Sequence, residues 1–318
     1  MKYFLKILLG IFFLPGSCAS LTTQPFIFSD TYEVGDSFMG IRLHGTLKLP
    51  YTKVNGIKLT ELSGLAWDND EALLYAINDR GYLFHLRPII ERHTLVGIKI
   101  ITAYPLLSKK GKRLWLKDSE GLSLLHGENG KHGDSELIIS FERQASIISF
   151  TPQGQFLKVY PLPKVLRNMK AYSQPNVALE AVTWHPKWGI LTTPERPLKG
   201  HQDIIIYSLT GNTWHFPLHS APKSSVVALE TLDDGSLLVL ERAFVSVWQP
   251  FIVSLRQVWL GNPCQVKLIA ELNNRKGWRL DNFEGLTHHQ GHHFFMVSDD
   301  NESFLQDTLL SYFELLQE

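Results

Sequence analysis

Residues 229–242 read LETLDDGSLLVLER. Two apolar runs flank Asp-Asp-Gly, a strong signal for a β-hairpin. With Asp234 and Gly235 as the two loop residues, antiparallel pairing sets Glu230 opposite Val239 and places Glu241 two residues beyond it. The stretch therefore reads as paired strands, with a glutamate near the start of the first and an acid-arginine step, Glu241-Arg242, at the end of the second.

The same unit recurs along the chain. Its first half is a polar residue followed by a small or apolar pair: Ser63-Gly64-Leu65, Glu120-Gly121-Leu122, Glu180-Ala181-Val182, Glu230-Thr231-Leu232 and Glu284-Gly285-Leu286. Its second half is an apolar strand ending in an acid, usually followed by arginine: Asp79-Arg80, Glu142-Arg143, Glu195-Arg196, Glu241-Arg242 and Asp299-Asp300. A period of about 40 to 60 residues built from short β runs is what propeller blades give. Within the second unit EGLSLL, ELIISFER, SIISFTP and FLKVYPLP read as four strands divided by turn residues. The only helical signal is a short one between Lys164 and Tyr172.

These readings predict an all-β fold, a β-propeller of five four-stranded blades, with six as the alternative count. The fifth unit, from Asn282, has room for three strands only. The spare strand in Phe38 to Pro50 is expected to complete that last blade, which would close the ring and remove exposed sheet edges. One domain is expected over residues 30–318. Because a blade's first strand enters and its second leaves on one side of the disc, both halves of the motif should crowd around one mouth of the central channel. Loops at the end of a β scaffold commonly carry binding groups.

Composition narrows the partners. Lys plus Arg equals Asp plus Glu at 31 each, with no basic block of the kind that follows a phosphate backbone, so nucleic acid is not expected as a partner. With 44% hydrophobic residues and eight Trp, a single large core can form without disulfides. Lys2, Lys6, the apolar run Ile7 to Leu14 and the small residues up to Ser20 read as an export signal over residues 1–19. Cleavage after Ala19 is one reading; a lipoprotein signal cleaved before Cys18 is the other. The expected location is the periplasm or the exterior, with membrane attachment only through a lipid on Cys18. Once the signal is removed, Cys264 is the only cysteine that could stay unmodified, which excludes a disulfide framework and a cysteine-based zinc site.

Other motifs carry less. His288-His289 and His292-His293 flank Gln290-Gly291 and invite a transition-metal reading, but the hairpin places them at a solvated turn on the face opposite the acids. Ser63 has nothing nearby that marks it as a nucleophile. Trp67 and Trp184 hold matching places in their units and are expected to pack between blades.

The segments ELSGLAWD, LYAINDRG, DSEGLSLL, LEAVTWH, LLVLERAF and DNFEG with VSDDN are similar to those of the phytase-like family, also described as an esterase-like activity of phytase domain. The resemblance spans about Gly40 to Phe313 and implies an exported β-propeller acting on phosphate or other esters. By matching, it carries over Glu120, Glu142, Glu180, Glu195, Glu230, Glu241, Glu284, their arginines, Asn282, Asp299, Asp300 and Asn301 as motif positions without individual roles. Clustered oxygen ligands suit a hard cation such as Ca²⁺, and arginine forks suit a phosphate or carboxylate. The resulting expectation is a Ca²⁺-assisted hydrolase of a phosphorylated or otherwise anionic small ester. Glu120 and Glu284 are its candidate proton acceptors, and Arg80, Arg143, Arg196 and Arg242 its candidate substrate-binding groups. Glu180, Glu230, Asn282, Asp299 and Asn301 are its candidate metal ligands. A lactonase-like hydrolase and a non-catalytic binding propeller are the alternatives. The bland reading of any one acid or arginine is a salt bridge between blades, repeated because the blade is repeated.

Overall fold

The structure, a computed structural model, describes residues 23–114, 118–174, 177–246 and 248–317. The expected export signal and Cys18 lie outside them. Five sheets form a five-bladed propeller. The first blade runs Leu62–Asp68, Leu73–Asn78, Tyr82–Glu91 and Thr94–Pro105; the second Ser119–Leu125, Glu136–Phe141, Ser146–Phe150 and Phe156–Tyr160. The third comprises Leu179–His185, Gly189–Pro194, Ile204–Ser208 and Thr213–Phe216, and the fourth Ser224–Thr231, Leu237–Ala243, Ile252–Trp259 and Gln265–Asn273. The last blade has Asn282–His288, His293–Asp299 and Leu309–Leu315 from the end of the chain, and Ile41–Lys48 pairs antiparallel with its third strand. The expected closure by an N-terminal strand is thus present, joining the two ends of the propeller in one sheet. Among the described residues the helical segments are single 3₁₀ turns, such as Met169–Ala171 within the expected short helix.

The recurring motif has a packing cause. The five innermost strands converge on the axis, and each carries a small residue where they meet: Gly64, Gly121, Ala181, Ala228 and Gly285. A Cβ on Gly121 would stand 2.7 Å from the amide nitrogen of Val182, and one on Gly64 2.6 Å from the carbonyl of Glu120, so neither position admits a side chain. The void left between these strands is only about 10 Å³, hardly room for one water. The channel is therefore plugged at its waist, and its two mouths are separate cavities. Apolar clusters fill the seams between neighbouring blades, as between the first and second, where Tyr75, Leu83, Leu122, Phe141 and Phe150 pack together.

A register shift interrupts every innermost strand beside that small residue, at Leu62/Gly64, Ser119/Leu122, Leu179/Ala181, Val226/Ala228 and Phe283/Gly285. A bulge leaves one residue outside the ladder and re-aims its side chain. Ser63, Glu120, Glu180, Val227 and Glu284 hold these places, and at Glu120, Glu180 and Glu284 the side chain lines one mouth of the propeller.

The fourth blade departs from the sequence expectation. Glu230 pairs with Leu238 rather than Val239, and Glu241 comes opposite Val226. Its motif is Val227-Ala228-Leu229, three residues before the expected Glu230-Thr231-Leu232. On the returning strand Arg242, not Glu241, follows the last pair before the bulge and takes the place held elsewhere by Asp79, Glu142, Glu195 and Asp299. Glu241 is instead wholly buried against Arg256, at 3.0 Å, and accepts the His219 amide at 3.0 Å.

Candidate functional site

The bulged Glu120, Glu180 and Glu284 and the acid steps open on a cavity of about 1060 Å³ at one mouth of the propeller. Nine carboxylates line it: Asp79, Asp118, Glu120, Glu142, Glu180, Glu195, Asp281, Glu284 and Asp299. Among the described residues four cations face them, Arg143, Arg196, Lys223 and Arg242. The imbalance is severe because the inner acids are withdrawn from water: Glu120, Glu142, Glu180, Glu195 and Glu284 are each no more than 9% exposed.

Arg242 is the cation of the interior. It donates to Glu284 at 2.6 Å and to the side-chain oxygen of Asn282, and lies 3.7 Å from Glu195. Burial alone would pull its pKa down, yet Glu284, Glu180 and Glu195 around it hold the guanidinium above its ordinary value. Asn282 spans the same corner, its amide donating to Glu284 at 2.8 Å and reaching Asp299 at 3.4 Å. The fourth blade thus supplies the counter-charge where the other four supply acids.

Elsewhere the carboxylates face one another. Ligand oxygens of Asp79, Glu120 and Glu284 lie within 4.8 Å of one another, as do those of Glu142, Glu180 and Glu195 and those of Asp118, Glu120 and Glu142. Desolvation, reinforced by neighbouring charge, drives Asp79, Glu120 and Glu180 well above the carboxylate range. Burial lifts Glu142 to about 7 and Asp299 to about 8. Asp79 Oδ1 is buried without a hydrogen-bond partner, and the side-chain carboxylates of Glu120 and Glu180 receive no hydrogen bond or ion pair from the described residues.

Not every candidate reaches this mouth. Glu230 sits at the other one, in a cavity of about 690 Å³ with Trp67, Trp184, His288 and His289, where burial raises its pKa to about 8. Its expected place beside the acid ring is corrected by the register of the fourth blade. Arg80 borders a smaller neighbouring cavity and is engaged by Glu61 and by Glu302, at 2.5 Å, so it does not point at the main one. Arg143 is at the rim, held by Asp118 at 2.7 Å, and Arg196 stands 3.9 Å from Glu195. Asn301 lines the outer wall with its amide on Gln306. Ser63 donates to the Ser119 carbonyl at 2.6 Å and is buried, a structural hydroxyl. Trp184 is 40% exposed in the far cavity rather than packed between blades.

The sequence reading passed over Asp118, Asp281 and Lys223 as members of the site. Asp118 lies two residues ahead of Glu120 in the quoted DSEGL, and the repeat concealed it because of the other blades only the first, with Glu61, has an acid there. An apolar flank was also missed: Phe244, Phe251, Leu280 and Leu305 line one side of the cavity.

Fold and site together define a five-bladed β-propeller with an acid-lined mouth and one embedded arginine. A model of the family Phytase-like, described as esterase-like activity of phytase, matches residues 57–302, and the chain belongs to that family. No curated protein matches. Among solved structures, a luciferin-regenerating enzyme is similar at 10% identity and a TM-score of 0.39, over 80% of this chain and 91% of that one. The Dos1 propeller is similar at 9% identity and a TM-score of 0.35, over 87% and 77%. Likeness at that level carries no argument about activity.

Proposed function

We propose that the acid mouth holds a divalent, oxygen-seeking cation, Ca²⁺ by its chemistry, and serves the hydrolysis of a small ester. One observation carries this reading: carboxylate triads converge within 4.8 Å in the mouth of the propeller, while the side-chain oxygens of Asp79, Glu120 and Glu180 have no hydrogen-bond or ion-pair partner among the described residues. Buried charge without compensation is costly, and a bound cation relieves a cluster in which nine carboxylates face three arginines and one lysine among the described residues. An all-oxygen donor set suits Ca²⁺ over zinc or copper. Asp79 and Glu120, joined by Glu284, and Glu180 with Glu195 are the residues that would hold it. When bound, such an ion polarises an ester oxygen and lowers the pKa of a water molecule.

The chain's own groups supply the rest. Glu142, lifted to about 7, exchanges a proton near neutral pH and suits general acid-base work better than Glu284, which Arg242 keeps paired. Glu120 stays a candidate proton acceptor or ligand. Arg143, Arg196 and Lys223 would attract a negative group of the substrate, and Phe244 and Phe251 would cover an apolar one. Nine carboxylates against four cations repel a substrate crowded with phosphates, so a monoester or a lactone with an apolar part fits better. Export, on the strength of residues 1–19, belongs to this reading, since extracellular Ca²⁺ modules work with Kd values of about 0.1–1 mM.

Turnover of 4-nitrophenyl phosphate, 4-nitrophenyl butyrate and a δ-lactone, with Ca²⁺ and after chelation, tests it. At least one substrate is expected to be hydrolysed, chelation to abolish turnover, and Glu142→Gln to lower kcat by about 10²-fold or more. Ca²⁺ binding without turnover of any of the three would instead favour a binding propeller.

A further inference from the structure

The four histidines around Gln290-Gly291 do not act as one group. His288 and His289 border the far cavity, whereas His293 turns toward the sheet that closes the ring. There His293, His44 and Glu314 each bring a ligand atom within 4.8 Å of the others. They come from three adjacent strands: His44 from Ile41–Lys48, Glu314 from Leu309–Leu315, and His293 from His293–Asp299. Glu314 is the cross-strand partner of both Arg42 and His293, and His44 is two residues on from Arg42, so all three side chains share one face.

We propose that His44, His293 and Glu314 form a site for a transition-metal ion of the Zn²⁺ class, which ties the closing strand to the last two strands of the chain. Two imidazoles and one carboxylate are a donor set that suits zinc or cobalt and not Ca²⁺, which separates this site chemically from the acid mouth. The orientation of His293 supports it: its Nδ1 donates to the Gln290 carbonyl at 3.2 Å, leaving Nε2 as the ligand, the arrangement usual for a metal-bound histidine. Tyr312 stacks on the His293 ring at 5.3 Å and flanks His44 at 5.9 Å, fixing both.

A hydrogen bond already links two of the three. His44 Nε2 is 3.2 Å from Glu314 Oε2, the oxygen that also accepts from Arg42 at 2.8 Å. The ion would replace the proton between His44 and Glu314, with Arg42 remaining on the carboxylate. His93, exposed at the tip of the first blade's outer hairpin, stacks on His293 at 5.8 Å and lies 6.4 Å from His44, ring to ring. It is the neighbouring candidate for a fourth position, the alternative being water, and it would extend the tie across the seam between the last blade and the first.

Titration of the protein with Co²⁺, in saturating Ca²⁺ to keep the acid mouth occupied, reads the site through its visible d–d absorption. One equivalent is expected to bind. His44→Gln and His293→Gln should each weaken binding by on the order of a hundredfold or more, since even partners of metal ligands cost 10–100-fold, while His288→Gln should leave it unchanged. Zn²⁺ should raise the Tm of the wild type by several degrees and not that of His293→Gln, a variant at a less buried position that keeps the test open if His44→Gln folds poorly. No Co²⁺ spectrum in the wild type, or one that survives in both variants, would overturn the proposal.

Discussion

Replacing Arg242 with Met is expected to cost about 3–5 kcal/mol of stability, read as a fall in the urea midpoint in the presence of chelator at pH 8. The reason is position. Its guanidinium is the counter-charge set among Glu284, Glu195 and Glu180, and its removal strands buried carboxylates rather than exposing a surface group. The loss should shrink at pH 5, because Glu284 and Glu180, already pushed upward by burial, then take up protons and need no partner. Added Ca²⁺ should restore part of the lost stability, and the variant should bind Ca²⁺ more tightly than the wild type. A loss below about 1 kcal/mol, within the range of surface ion pairs, would show that Arg242 is not the interior counter-charge.

The second large effect is on pH dependence. Glu142 and Asp299 titrate at about 7 and about 8 in the folded protein, and Asp79, Glu120 and Glu180 are also displaced upward. A carboxyl with a raised folded pKa adds stability that is complete below its unfolded pKa and disappears as pH rises through the folded value. Chelated protein should therefore lose stability with rising pH, by about 1.4 kcal/mol per pH unit for each extra proton the folded state holds. His289, held down to about 4 by burial, acts in the opposite sense below its unfolded pKa, so pH 6.5 to 8 is the window in which the acids dominate. Ca²⁺ expels the same protons, so in its presence the slope over this window should flatten or reverse. Glu230 retains its own contribution, being at the other mouth. Thermal or urea unfolding at pH 6.5 and 8, with and without Ca²⁺, makes the comparison, and identical slopes would argue against a cation among these acids.

The architecture was legible because a propeller repeats its blade, and the repeat survives in the alternation of apolar strands and turns. The small residue after each motif glutamate was visible as a pattern, but its cause, five strands meeting where Gly121 and Gly64 tolerate no Cβ, required the packed centre. The fourth blade was misread because Glu230-Thr231-Leu232 and Glu241-Arg242 imitate the motif at the wrong register. A signal was present: Glu180 and Glu195 are fifteen residues apart, as are Glu284 and Asp299, and Val227 and Arg242 keep that interval where Glu230 and Glu241 do not. Composition favoured the imitation, since Val227 carries no charge to draw notice. The meeting of His44 with His293 and Glu314 could not be read from the chain at all, because it depends on the N-terminal strand pairing with the C-terminal one some 270 residues later.

Calorimetric titration with Ca²⁺ at pH 7.5 probes the acid mouth most directly. Saturable binding is predicted in the wild type, weakened at least tenfold in Glu120→Gln and in Glu180→Gln and unaltered in Glu230→Gln, whose side chain lies beyond the plugged waist of the propeller. Absence of binding, or equal affinity in all four proteins, would contradict a cation centre at this mouth.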